Sequence, residues 1–328
     1  MRATVVGAGL AGITAARLLK DAGWDVEIFE RRGYIGGNCS DHLDSHGVHV
    51  HEHGPHIFHT DNEMVWEFVT RFAEFNDYQH KVLANLGTKI IPIPVNDISV
   101  KILGWHPSSE EIVDLVFKDY SEKMWGKPWG RLPSSVTGRV PAIRKGDDCR
   151  YFLDPHQGVP KLGYTKWLTS MLGLVPVHLG EDNGVWHKQR HDLVVYTGSI
   201  DEYFGVPHTL PYRTVDIQFS YGCRLPAAVV NECNPKPHTR TTDYAWFSQV
   251  DTDITVQSKE TPREYVSGDI PIWPVHTDES LHQYEKFAQL TDAKTVFLGR
   301  LGTYRYMDMD DIVYQAMTVL EPYLSLRD

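Results

Sequence analysis

The hexad Gly7-Ala8-Gly9-Leu10-Ala11-Gly12 follows the apolar run Ala3 to Val6 and opens the helix-forming segment Ile13 to Lys20. A strand, a glycine turn and a helix in that order bring the helix N-terminus, with its free N–H groups, against a pyrophosphate. Gly7 permits the tight turn, Gly9 lets the backbone approach the phosphates, and Gly12 allows helix and strand to touch. After a break at Gly23, a second apolar-rich strand, Val26 to Glu30, ends on a carboxylate placed to accept the ribose hydroxyls of a dinucleotide. This pattern predicts an α/β chain that opens with a doubly wound, Rossmann-like parallel sheet.

Gly36-Gly37, followed by Asn38, separates flavin from nicotinamide. Flavoproteins of the two-dinucleotide-binding type use such a pair for a turn beside the FAD pyrophosphate, so FAD is the expected cofactor. No second glycine hexad follows a strand, so a dedicated NAD(P)H domain is not expected. Either the substrate reduces the flavin, as in an oxidase, or the reaction carries no net redox change.

The 328 residues carry 32 Lys+Arg against 43 Asp+Glu, a formal charge of −11. That balance argues against holding nucleic acid or an anionic membrane by bulk charge, so particular arginines must capture any anionic ligand. No apolar run approaches the roughly 20 residues of a membrane span, and a soluble, cytoplasmic protein is expected. Cys39, Cys149, Cys223 and Cys233 form no C-x-x-C pair and are expected as free thiols. His49, His51 and His53 would share a strand face, but without paired cysteines or acidic ligands at metal spacing no metal is expected.

Spacing predicts helices over 62–75, within 99–125, over 164–172 and over 310–320, the last ended by Pro322. Strands are expected at 89–95, where Pro92 and Pro94 mark an edge, and at 193–196, 214–221, 244–250 and 295–298. The simplest organisation is an FAD-binding domain (1–75, 188–208 and 291–328) interrupted by two insertions. One is a helical substrate domain (97–187) with a mobile loop at about 126–148. The other is an antiparallel sheet domain (76–96 and 209–290).

Further segments are Gly54-Pro55-His56-Ile57-Phe58-His59-Thr60, Phe75-Asn76-Asp77-Tyr78-Gln79-His80, Trp125-Gly126-Lys127 and Leu132-Pro133-Ser134-Ser135-Val136-Thr137. Arg150-Tyr151-Phe152, Gln157-Gly158-Val159-Pro160-Lys161, the run 196–203 and the run 299–310 continue in the same order. Collinearly, these resemble the UDP-galactopyranose mutase family of flavoenzymes. The resemblance implies an isomerase that interconverts pyranose and furanose forms of a nucleotide-linked sugar, supplying furanose donors for surface glycans. It implies that reduced flavin acts through an N5-sugar adduct while the nucleoside diphosphate is expelled and recaptured.

By that resemblance, Arg139 and Arg240 grip the diphosphate, a task suited to planar guanidinium groups that stay charged. His56 lies against the flavin and shapes N5 protonation. Tyr120, with Phe117 beside it, stacks on the base. Trp125, Tyr151, Tyr306 and Asp308 contact the diphosphate and sugar, as does Trp273, which stands where the family has a tyrosine. Gly7, Gly9, Gly12, Glu30, Gly36, Gly37, Asn38, Arg300, Tyr306 and Met307 are the expected cofactor contacts. The partners implied are a nucleotide sugar and an external reductant such as NAD(P)H or a reductase, with a homo-oligomer left open. The stretch between Pro94 and Tyr120 is shorter than usual for the family, so the sugar and base preference can differ. An amine or polyene oxidoreductase and a non-catalytic escort protein on the same scaffold are the alternatives.

Overall fold

The computed structural model describes residues 1–132, 134–138, 143–181, 184–188 and 190–324. Its centre is a five-stranded parallel sheet in the order Thr295–Phe297, Leu193–Tyr196, Arg2–Val6, Asp25–Glu30, Val177–Leu179. Strand Arg2–Val6 lies in the middle, buried on both faces, and reads as a continuous apolar run for that reason. Helix Leu10–Asp21 leaves it and packs against the final helix, Met309–Leu324, and against helix Tyr164–Leu172. Alanines 11, 15 and 16 on its buried face let these helices approach closely.

A seven-stranded sheet forms the second layer, in the order Trp273–Pro274, Tyr212–Cys223, Ile254–Glu264, Arg240–Asp243, Val229–Glu232, Val82–Asn85, Ile90–Ile93. It is antiparallel except where Val229–Glu232 runs parallel to Val82–Asn85. The proline-bearing strand Ile90–Ile93 takes the edge, where a missing N–H costs no ladder bond. Helix Asp97–Leu103 packs on strand Ile90–Ile93 and helix Lys118–Trp125 on strand Ile254–Glu264, while the short helix Ser109–Ile112 leads into the turn before Lys118–Trp125.

Three expectations need correction. Residues 244–250 form no strand: Asp243 accepts the Ala245 N–H at 3.1 Å and turns the chain into helix Ala245–Ser248, which buries Phe247. Pro322 lies inside the last helix, where burial of Val313, Ala316 and Leu320 outweighs the one hydrogen bond a proline forfeits. Residues 164–179 belong with the parallel sheet, because Trp167, Leu168 and Met171 are fully buried and Val177–Leu179 pairs with Asp25–Glu30. Within 126–148 the described residues contain a turn of helix at Trp129–Arg131 and another at Ser134–Thr137.

Candidate active site

The glycine turn builds the first chamber. A Cβ on Gly37 would come within 2.9 Å of the Gly9 Cα, so the two turns touch backbone to backbone, and only glycines allow it. Glu30 is buried at the end of its strand, and its two carboxylate oxygens accept the N–H groups of Ala8 (2.7 Å) and Arg32 (2.8 Å). Each oxygen keeps a lone pair for a ribose hydroxyl. Arg32 donates from Nη2 to Asn38 Oδ1 (2.9 Å), while its buried Nη1 has no hydrogen-bond partner among the described residues. The chamber runs from Glu30 past Gly7, Gly9 and Gly37 to His56 and Arg300. A carboxylate at one end, a glycine cradle in the middle and a guanidinium nitrogen lacking an acceptor fit a dinucleotide with a charged pyrophosphate.

His56, Ile272, Arg300 and Met309 also line a second cavity of about 460 Å³, a size suited to a small-molecule ligand. Helix Lys118–Trp125 and the π-helical turn Val113–Phe117 before it supply Phe117, Tyr120 and Trp125 to its wall. Trp125 lies 6.3 Å from Trp273 and 6.0 Å from Tyr306, between ring centroids. Tyr151 and Asp308 complete the wall. Arg240 enters from strand Arg240–Asp243, with Glu260 Oε2 2.8 Å from both Nε and Nη2. Burial opposes the charge on Arg240, but the Glu260 carboxylate outweighs it, with lesser help from Tyr120, and holds the guanidinium protonated. Arg300 donates from Nε to the Met307 carbonyl (2.6 Å) and lies over the Tyr306 ring.

The family model described as UDP-galactopyranose mutase matches residues 115–306, more than half of the chain, and one described as an NAD(P)-binding Rossmann-like domain matches 5–72. A probable UDP-galactopyranose mutase of Klebsiella pneumoniae is 33% identical, over 98% of this chain and 94% of its own. The chain belongs to the UDP-galactopyranose mutase family. It is therefore an isomerase, a nucleotide-sugar pyranose/furanose mutase with FAD as its cofactor. A dTDP-fucopyranose mutase of Escherichia coli is 30% identical over 98% of both chains. A crystal structure of reduced UDP-galactopyranose mutase shares the fold, with a TM-score of 0.80 at 14% identity over 99% of this chain and 94% of that one.

Within this mutase scaffold the structure brings together nearly all the residues expected at the site. Two expected cofactor contacts fall elsewhere: Tyr306 lines the substrate cavity and not the cofactor chamber, and the Met307 side chain lines neither, its carbonyl instead holding Arg300 while Met309 faces the cofactor chamber. Gly12 and Gly36 act one step back. Gly12 packs its helix on the Gly7 carbonyl, and the Gly36 N–H donates to the Ala8 carbonyl (2.8 Å). Arg139 lies outside the described residues. Not singled out from the sequence were Arg32, two residues beyond Glu30, which lines the cofactor chamber, and His59, His80, Trp129 and Asn231, which line the substrate cavity. His59 and His80 stood inside the quoted motifs, but nothing in their spacing showed which way they face.

Buried histidines support this site. The His56 N–H donates to His51 Nδ1 (2.9 Å), and the Tyr164 hydroxyl donates to the His56 carbonyl (3.0 Å). Burial, reinforced by the Arg300 charge, pushes the His56 imidazole down to about 3. Burial and the Arg240 charge do the same to His80, also to about 3, and burial drives His51 well below its ordinary value. All three are neutral in the folded protein at neutral pH. The unfolded chain takes up their protons below about 6.5, so stability is complete above that pH and falls as the pH drops toward about 3. His56 and His80 each contribute up to roughly 1.4 kcal/mol per pH unit in that window, and His51 acts in the same direction. Melting temperature measured from pH 7.5 to 4.5 should fall steeply, and His80→Phe should flatten the slope. An unchanged slope in that variant would contradict the burial argument.

Proposed function

We propose that this mutase interconverts UDP-galactopyranose and UDP-galactofuranose, or the matching pair of a closely related nucleotide sugar. The observation carrying the reading is that the aromatic cavity holding Arg240 adjoins the cofactor chamber and shares His56 and Arg300 with it. Reduced FAD, when bound, supplies a nucleophilic flavin nitrogen toward the anomeric carbon. Tyr120 and Phe117 hold the base by stacking, which places the diphosphate toward Arg240.

Glu260 occupies the Nε side of that guanidinium, so its Nη1 hydrogens remain for a phosphate oxygen. Arg240 thereby stabilises charge that grows on the departing diphosphate and retains it for recapture. Arg139 is the proposed second cation. His56, neutral and anchored at both its N–H and its carbonyl, offers a fixed polar face to the cofactor without adding charge. Arg300, held by the Met307 carbonyl, balances negative charge on a reduced cofactor. The dTDP-fucopyranose mutase among the relatives makes a thymidine-linked 6-deoxy sugar the second substrate to try.

The test is turnover by dithionite-reduced holoenzyme, followed by chromatography. Reduced protein should convert UDP-galactopyranose, or one donor of a nucleotide-sugar panel, to an isomer of unchanged mass. Oxidised protein should be inactive. Equal rates in the two redox states would rule out a nucleophilic reduced flavin.

A further inference from the structure

Lys123 projects from helix Lys118–Trp125, the helix that carries Tyr120 and Trp125 into the substrate cavity. Its three Nζ hydrogens are shared among four backbone carbonyls, those of Glu232 (2.6 Å), Asn234 (3.0 Å), Lys236 (3.1 Å) and His238 (3.2 Å). These are alternate residues of one segment, Glu232-Cys233-Asn234-Pro235-Lys236-Pro237-His238. Pro235 and Pro237 have no N–H to donate, and every second carbonyl of this bent segment converges on the same Nζ.

The segment is braced independently of the lysine. The Glu232 carboxylate accepts from Asn85 Nδ2 (3.0 Å), Asn234 Nδ2 (2.7 Å) and Lys236 Nζ (3.2 Å), and lies 3.5 Å from His238 Nε2. The result is a ring of carbonyl oxygens whose polarity demands a cation or donors. Burial lowers the Lys123 pKa from its ordinary value, against the opposing pull of Cys233, Asp119 and Glu232.

Two residues beyond the ring, Arg240 begins its strand. At the end of the same helix, Arg213 donates to the carbonyls of Lys123 and Met124, each at 3.1 Å, from a strand position opposite Trp273. One ammonium thus joins the helix bearing the aromatic wall to the loop delivering the diphosphate-facing arginine. We propose that Lys123 is a positioning residue, a tethered monovalent cation in a carbonyl ring that sets the spacing between Tyr120 and Arg240. Backbone carbonyl rings hold potassium in the same manner, and an ammonium group is close to potassium in size.

The proposal rests on the nucleotide-sugar reading for its choice of probe, UDP. Wild-type holoenzyme should bind UDP with an affinity indifferent to potassium. Lys123→Ala should keep its FAD and weaken UDP binding roughly tenfold to a hundredfold. Potassium or methylammonium chloride, but not tetramethylammonium chloride at equal ionic strength, should restore most of the loss. Unchanged UDP affinity in the variant, or equal recovery with tetramethylammonium, overturns the proposal. If Lys123→Ala does not fold, Lys123→Met keeps the aliphatic stem; weakened UDP binding in it supports the proposal and wild-type affinity overturns it. Wild-type protein that binds UDP with the cation pattern above, yet isomerises no nucleotide sugar, would defeat the proposed reaction and leave the role of Lys123 standing.

Discussion

Arg240→Ala is expected to lower kcat/KM for the nucleotide sugar roughly a hundredfold to a thousandfold while the flavin stays bound. The guanidinium lines the substrate cavity and lines no part of the cofactor chamber, so cofactor affinity has no direct reason to change. Stability should fall too. Glu260 is 2% exposed, and removing its partner leaves a buried carboxylate unpaired, at about 3–5 kcal/mol. The two effects separate in Arg240→Ala/Glu260→Gln, which should recover most of the melting temperature and none of the turnover. Thermal melts and steady-state rates on the same samples check both. Near-normal rates in the single variant would show that Arg240 does not hold the departing diphosphate.

The second large effect is expected at Gly12. A Cβ there would lie 1.9 Å from the Gly7 carbonyl oxygen and 3.2 Å from Val5 Cγ1. Neither contact can give way, because one is backbone and the other belongs to the central strand. Gly12→Ala must therefore push the helix off the glycine turn, at about 1–3 kcal/mol of overpacking strain, and displace the N–H groups that face the pyrophosphate. The purified variant should be nearly colourless, with flavin occupancy reduced tenfold or more, an estimate that follows from about 1.4 kcal/mol per decade of affinity. Gly33→Ala is the matched control, since a Cβ there meets nothing within 4 Å. Full flavin content in Gly12→Ala would mean that the turn relaxes at no cost.

The sequence exposed the nucleotide half of this protein readily, because glycine spacing, strand apolarity and the terminal Glu30 all act within thirty residues. The substrate half was legible chiefly through resemblance: nothing local to Tyr120, Tyr151 or Tyr306 distinguishes a cavity wall from an ordinary core. Strand Val177–Leu179 escaped because only its first residue is even half-buried and its pairing is set by Asp25–Glu30, far away in the chain. Residues 244–250 misled because their aromatic composition suits a strand, whereas the Asp243 carboxylate decides the turn. Lys123 gave no signal at all. Its significance appears only when a proline-punctuated loop more than a hundred residues later turns its carbonyls toward one point.

The two chambers share His56, Ile272, Arg300 and Met309, so part of the wall against which one ligand rests also borders the other. Thermodynamic linkage then binds the two occupancies together: by whatever factor a sugar nucleotide tightens the hold on the flavin, the flavin tightens the hold on the sugar nucleotide. Flavin affinity measured with and without the sugar nucleotide reads that factor directly.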